Sequence, residues 1–107
     1  MTYEEVVADV KERFKDTDVS YMKEHLVYQF NIVGEGAGAF YVEVNDGKLI
    51  IQPYEYFDRD VLLTCSADVL LKMVSGKLDP ELAFMLKKLK VEGDFGKALK
   101  LKKIIAS

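Results

Sequence analysis

The chain has one cysteine, one histidine, two prolines and, among its 15 basic residues, only two arginines. Each scarcity excludes something. Cys65 alone cannot form an internal disulfide, so a reducing, cytoplasmic setting is expected rather than a disulfide-stapled secreted fold. His25 alone leaves no Ser-His-Asp arrangement with a spare base and no His-rich zinc site to assemble. It reads as a surface residue ahead of a strand. With guanidinium groups only at Arg13 and Arg59, much of the bidentate recognition of bases and phosphates is missing, and no nucleic-acid partner is expected. No apolar run approaches the roughly 20 residues of a membrane span. Glu4, Glu5 and Asp9 occupy the place of a signal peptide's basic and apolar parts. A net charge of -3 over 107 residues, half of them hydrophobic, also excludes the composition of a disordered chain. This length predicts one domain over residues 1–107 with one core, whose space any ligand would share.

What is present is ordered by hydrophobic period. Thr2 and Glu5 have the spacing of a capping box, and Tyr3, Val6, Val7, Val10 and Phe14 follow at helical spacing. From Leu26 the period becomes two: Leu26, Tyr28, Phe30 and Ile32 alternate with Val27, Gln29, Asn31 and Val33. Phe40, Val42 and Val44 form a second alternating run. Asp46-Gly47 then signals a tight hairpin into Lys48–Gln52, which Pro53 stops. After an aromatic loop (Tyr54, Tyr56, Phe57), Val61–Cys65 is a fourth strand. Ser66 caps a helix carrying Val69, Leu70, Met73 and Val74, closed by Gly76. Asp79-Pro80 starts the next helix, Lys88–Glu92 is a fifth short strand, and Asp94 caps a last helix from Phe95 to about Ile105.

Few constellations carry chemistry. Gly34-Glu35-Gly36-Ala37-Gly38-Ala39 matches a relaxed dinucleotide fingerprint, but a strand follows it where a helix is required. It reads as a hairpin connection. Cys65, at the end of a buried strand, behaves as a small hydrophobe. The acid pairs Glu4/Glu5 and Asp58/Asp60 read as solvated charges, lacking the differently buried partner that acid–base work needs. The residues therefore predict no catalysis, no metal and no cofactor.

Charge and the last helix are more informative. Residues 87–103 hold seven lysines against Glu92 and Asp94, while residues 1–24 hold seven acids against four bases. The basic segment reads as a solvated face or as a contact for an anionic membrane surface. In the last helix, Phe95, Ala98, Leu99, Leu101, Ile104 and Ile105 spread over an arc of roughly 220°, about twice the stripe a surface helix needs. The excess suits plain apolar surface, a dimer partner or an apolar ligand. Met73, Phe84, Met85, Leu86 and Phe95 bring adaptable side chains to the same region.

Met73-Val74-Ser75-Gly76-Lys77-Leu78-Asp79-Pro80-Glu81-Leu82-Ala83-Phe84, then Leu89-Lys90-Val91-Glu92-Gly93-Asp94, then Ala98-Leu99-Lys100-Leu101 resembles the signature of the sterol carrier protein type 2 family of nonspecific lipid-transfer domains. The likeness is close over residues 58–105, and the order of elements agrees upstream. It implies an α/β (α+β) fold, a five-stranded mostly antiparallel sheet covered on one side by helices, with a hydrophobic tunnel between. It implies intracellular lipid binding or transfer without catalysis, for a fatty acid, fatty acyl-CoA, phospholipid or sterol-like ligand. Carried over by position, the lipid-binding lining is Val42, Leu70, Met73, Phe84, Met85, Phe95, Leu99 and Ile104. Two departures stand out. Lys87 stands where the family commonly has glycine, and Leu86 where a polar residue often sits, which implies a mouth more apolar inside and more basic outside. The chain also ends without a peroxisomal address, as expected of a stand-alone, prokaryotic-like cytoplasmic member. The alternative is a non-enzymatic interaction module whose apolar last helix forms a homodimer or docks a partner enzyme.

Overall fold

Local signals at the chain's start set the first helix in the computed structural model, which describes residues 1–106. Helix α1 (Tyr3–Phe14) opens on a complete capping box: Thr2 Oγ1 accepts from the Glu5 amide at 3.2 Å and Glu5 Oε1 accepts from the Thr2 amide at 2.9 Å. Val6, Val7, Val10 and Phe14 form its buried stripe.

The strands are β1 (Leu26–Val33), β2 (Gly38–Asn45), β3 (Lys48–Gln52), β4 (Val61–Ser66) and β5 (Lys90–Gly93), in the order β3-β2-β1-β4-β5. Only the β1–β4 pair is parallel among the described residues, so the sheet is mixed and mostly antiparallel. The β2–β3 turn has Asp46 and Gly47 at φ 54° and 72°, both left-handed, as that hairpin requires. The glycine run before β2 is a hairpin connection and not a phosphate cradle. At Gly38 a Cβ would lie 2.4 Å from the Tyr3 ring, so only glycine admits the ring, whose hydroxyl donates to the Ala39 carbonyl.

Alternation puts Leu26, Tyr28, Phe30 and Ile32 of β1 on the face that Phe40, Val42 and Val44 of β2 and Val61, Leu63 and Cys65 of β4 share. Phe30 pairs with Phe40 and with Leu63, and the two rings stack at 5.0 Å. Helices α1, α2 (Ala67–Val74) and α4 (Phe95–Ala106) contribute to this one core through Val10, Leu70, Met73, Leu101 and Ile104. A fourth helix, α3 (Pro80–Met85), touches it through Ala83.

The opposite face is covered in part by chain rather than by water. The aromatic loop folds back over β1 and β2. The Tyr56 amide donates to Gln29 Oε1 at 2.9 Å, the Tyr56 hydroxyl donates to Glu43 Oε2 at 3.2 Å, and its ring meets Tyr41 edge-on. His25 is not partnerless: its Nε2 lies 2.5 Å from Glu43 Oε2. The fifth strand begins two residues later than its alternation predicts, at Lys90. Lys88 and Leu89 are held by the turn that closes α3, where both amides donate to the Ala83 carbonyl at 2.9 and 3.3 Å.

Candidate functional site

Helices α3 and α4 stand over the β4–β5 end of the sheet, and local chemistry fixes both. Asp79 Oδ1 accepts from the Glu81 amide at 2.9 Å, and Pro80 starts α3 without an amide to satisfy. Asp94 Oδ1 accepts from the Lys97 amide at 3.0 Å at the start of α4. That end is pinned to the sheet by Asp60. Its Oδ1 meets Lys97 Nζ at 2.8 Å, its Oδ2 accepts from the Val27 amide at 2.8 Å, and its carbonyl accepts from the Asp94 amide at 3.0 Å. The Tyr28 hydroxyl adds a 2.6 Å bond to the Lys97 carbonyl.

Asp60 therefore departs from the solvated charge its loop position predicts. Burial alone would raise its pKa, but the bonds from Lys97 and from the Val27 amide win and hold it below the usual carboxylate value. The far end of α4 is tied to α1 by the Arg13 guanidinium, which donates to the Ile105 carbonyl at 2.8 Å.

Between these helices and the sheet lies a half-open groove of about 280 Å³. Its strand side is Leu63 and Val91, paired across β4 and β5, together with Leu89. Its helix walls are Phe84 and Met85 from α3 and Phe95, Ala98, Leu99 and Leu101 from α4. The charged residues of its lining are Glu81 and Lys102, which face each other at 3.5 Å while Lys102 also holds Asp79 at 3.1 Å. Those ion pairs join α3 to α4. Phe84 and Phe95 meet edge to face at 6.1 Å. Met85 is 74% exposed, Leu99 59%, Phe95 56% and Phe84 45%. Four such side chains around one depression are an apolar surface that awaits cover.

The eight residues expected to line a lipid site divide evenly. Phe84, Met85, Phe95 and Leu99 line the groove; Val42, Leu70, Met73 and Ile104 are at most 1% exposed and fill the core beneath α1, α2 and α4. The wide arc of α4 has the same division: Leu101, Ile104 and Ile105 turn into the core, while Phe95 and Leu99 face the groove. Leu101, already part of the arc read in the last helix, lines the groove as well, as do Leu63, Leu89 and Val91 on the sheet side, which were not among the eight. Their alternation marks them as inward-facing, but no periodicity says which helix lies above them.

Other places offer less. A depression of about 490 Å³ between α1 and α2 is lined by Leu71 and Val74 among the charged side chains of Asp9, Glu12, Arg13, Asp68, Lys72 and Lys77. Among the described residues no group of His, Cys, Asp and Glu is placed to hold a metal ion. Burial pushes the Cys65 thiol up to about 12, so it is a poor nucleophile. No described helix is long and apolar enough to cross a membrane.

Comparison with known proteins agrees on the fold. Residues 8–106 match the SCP-2 sterol transfer family. The chain is 40% identical over 81 residues to hydroxysteroid dehydrogenase-like protein 2 of Danio rerio, covering 75% of this chain and 20% of that one. The Bos taurus protein of the same name is 37% identical over 103 residues, 95% of this chain and 24% of the relative. The chain thus spans about a fifth to a quarter of the length of these relatives. Among solved structures, palmitated sterol carrier protein 2 like 2 from Aedes aegypti superposes with a TM-score of 0.70 at 24% identity, covering all of this chain and 96% of that one.

Proposed function

The chain belongs to the SCP-2 sterol transfer family, and from that membership we propose that it binds and hands over a lipid whose apolar part lies in the α3–α4 groove. One observation carries the reading: Phe84, Met85, Phe95 and Leu99 leave their side chains exposed around one apolar depression, with Glu81 and Lys102 as its only charged lining. Burying a ligand's hydrocarbon there returns about 25 cal/mol per Å² before ordering is subtracted. A single acyl chain is the first ligand to try, since the similarly folded mosquito protein has been solved in a palmitated form. Fatty acid, fatty acyl-CoA, phospholipid and sterol-like ligands share this apolar chemistry.

The protein has no catalysis of its own in this reading. The relatives' dehydrogenase-like naming describes much longer chains. Its buried free thiol suits a reducing cytoplasm.

Native mass spectrometry of purified protein, before and after organic extraction, tests the proposal. Co-purified lipid, or uptake of a fluorescent fatty acid by the extracted protein, is the expected result. Leu99→Glu puts a carboxylate in the groove at an exposed position, so it abolishes uptake while the folded signal persists. A ligand-free dimer that takes up no fatty acid, and that Leu99→Glu turns to monomer, establishes instead an interaction module built on α4.

A further inference from the structure

The turn that ends α3 repeats a backbone motif used at the end of α2, with one substitution. After α2, the amides of Gly76 and Lys77 donate to the carbonyls of Met73 and Lys72, with Gly76 at φ 79°. After α3, the amides of Lys87 and Lys88 donate to those of Phe84 and Ala83, with Lys87 at φ 62°. Glycine takes this left-handed position without a steric penalty and a lysine does not. The turn itself gains nothing from that side chain, so the reason for it lies in what the side chain meets.

The ammonium groups nearby are engaged, and those of this turn are not. Lys90 pairs with Glu92, Lys97 with Asp60, Lys100 with Glu24, and Lys102 with Asp79 and Glu81. Lys87 and Lys88 have no ion pair among the described residues, and both are exposed. Immediately before them, Leu82, Met85 and Leu86 are 46%, 74% and 53% exposed. Phe84 and Met85 of the same turn are also groove wall. Exposed apolar side chains followed by uncompensated lysines are the chemistry of an interfacial anchor, with hydrocarbon below the headgroups and ammonium at the phosphates.

We propose that the turn spanning residues 82–88 docks on an anionic lipid bilayer, seating Leu82, Met85 and Leu86 in its surface and Lys87 and Lys88 against its phosphates. The inference rests on the groove being a lipid site, and it gives that site a route: a lipid leaves the bilayer beside the groove without crossing water. The chain carries a net charge of -3, so attraction to a negative surface has to be local. A second copy of the chain fits the turn less well. A two-fold contact through this turn adds the second copy's two lysines to the first's, and the acids nearby are already engaged.

The test is co-sedimentation with vesicles of phosphatidylcholine alone and of phosphatidylcholine mixed equally with phosphatidylglycerol. Binding to the mixed vesicles alone, released by high salt, is expected. The double variant Lys87→Gln/Lys88→Gln weakens that binding about thirtyfold, the scale of two lysines at an anionic surface. It still takes up fluorescent fatty acid from solution like the parent chain. Leu82→Asp/Leu86→Asp, at exposed positions outside the groove lining, removes vesicle binding with an unchanged urea midpoint. Equal binding to both vesicle types, or indifference to these variants, overturns docking by this turn. So does a dimer that Leu82→Asp/Leu86→Asp dissociates without vesicles, which assigns the turn to a second copy. Failure of the parent chain to take up any fatty acid overturns the lipid reading itself, whatever the vesicles show.

Discussion

At the scale of single residues, Lys87 is where physical strain and sequence departure coincide. Its φ of 62° lies in the region that disfavours a Cβ, and the equivalent position after α2 is Gly76 at φ 79°. Lys87→Gly should therefore raise stability by about 1 kcal/mol, because no packing is lost and the left-handed strain is relieved. The measurement is a urea midpoint that moves up with an unchanged slope. A midpoint that falls would mean the lysine side chain stabilises the fold. Residue identity alone was a weaker guide elsewhere. Met73 and Met85 are the same amino acid at helical spacing, yet one is 1% exposed and the other 74%.

At the scale of elements, α4 shows how one helix serves two surfaces. The breadth of its apolar arc was legible in the sequence, as were its Asp94 cap and its approximate ends. The anchor at its N-terminus was not, because Asp60 and Lys97 are 37 residues apart and meet only when β5 pairs with β4, setting Gly93 opposite Val61. Asp60→Asn tests that anchor. The folded pKa of Asp60 is lowered, so its contribution is present above the unfolded value of about 3.9 and is lost as pH falls through the folded value. The variant should be less stable by roughly 1–2 kcal/mol at neutral pH, the scale of a hydrogen bond to a charged group. The gap to the parent chain should close in acid, as urea midpoints taken at several pH values will show. A gap independent of pH would assign the effect to packing.

At the scale of the whole molecule, core and groove are neighbours that share a boundary. Leu63 and Leu101 belong to the buried core and also line the groove, so a ligand seated there extends the core it touches. Binding to the folded state alone raises stability by about 2.7 kcal/mol at a ligand concentration a hundredfold above Kd. For a domain of this size that lifts Tm by more than about 10 °C. Palmitate added during calorimetry should produce the shift in the parent chain and none in Leu99→Glu. An equal shift in both would place the ligand elsewhere.

Local chemistry determined most of the architecture. The capping pairs Thr2/Glu5 and Ser66, the Asp46-Gly47 turn, the Asp79-Pro80 start and the change from helical to strand period each act over a few residues. They are therefore readable one segment at a time. Tertiary structure decided which apolar residues are core and which are groove, because that depends on what covers each face. Val42, Leu70, Met73 and Ile104 are covered by the elements packed against them, whereas Phe84, Met85, Phe95 and Leu99 surround a space that the chain's own side chains leave open. Hydrophobicity is a property of a residue, but vacancy belongs to the arrangement of several.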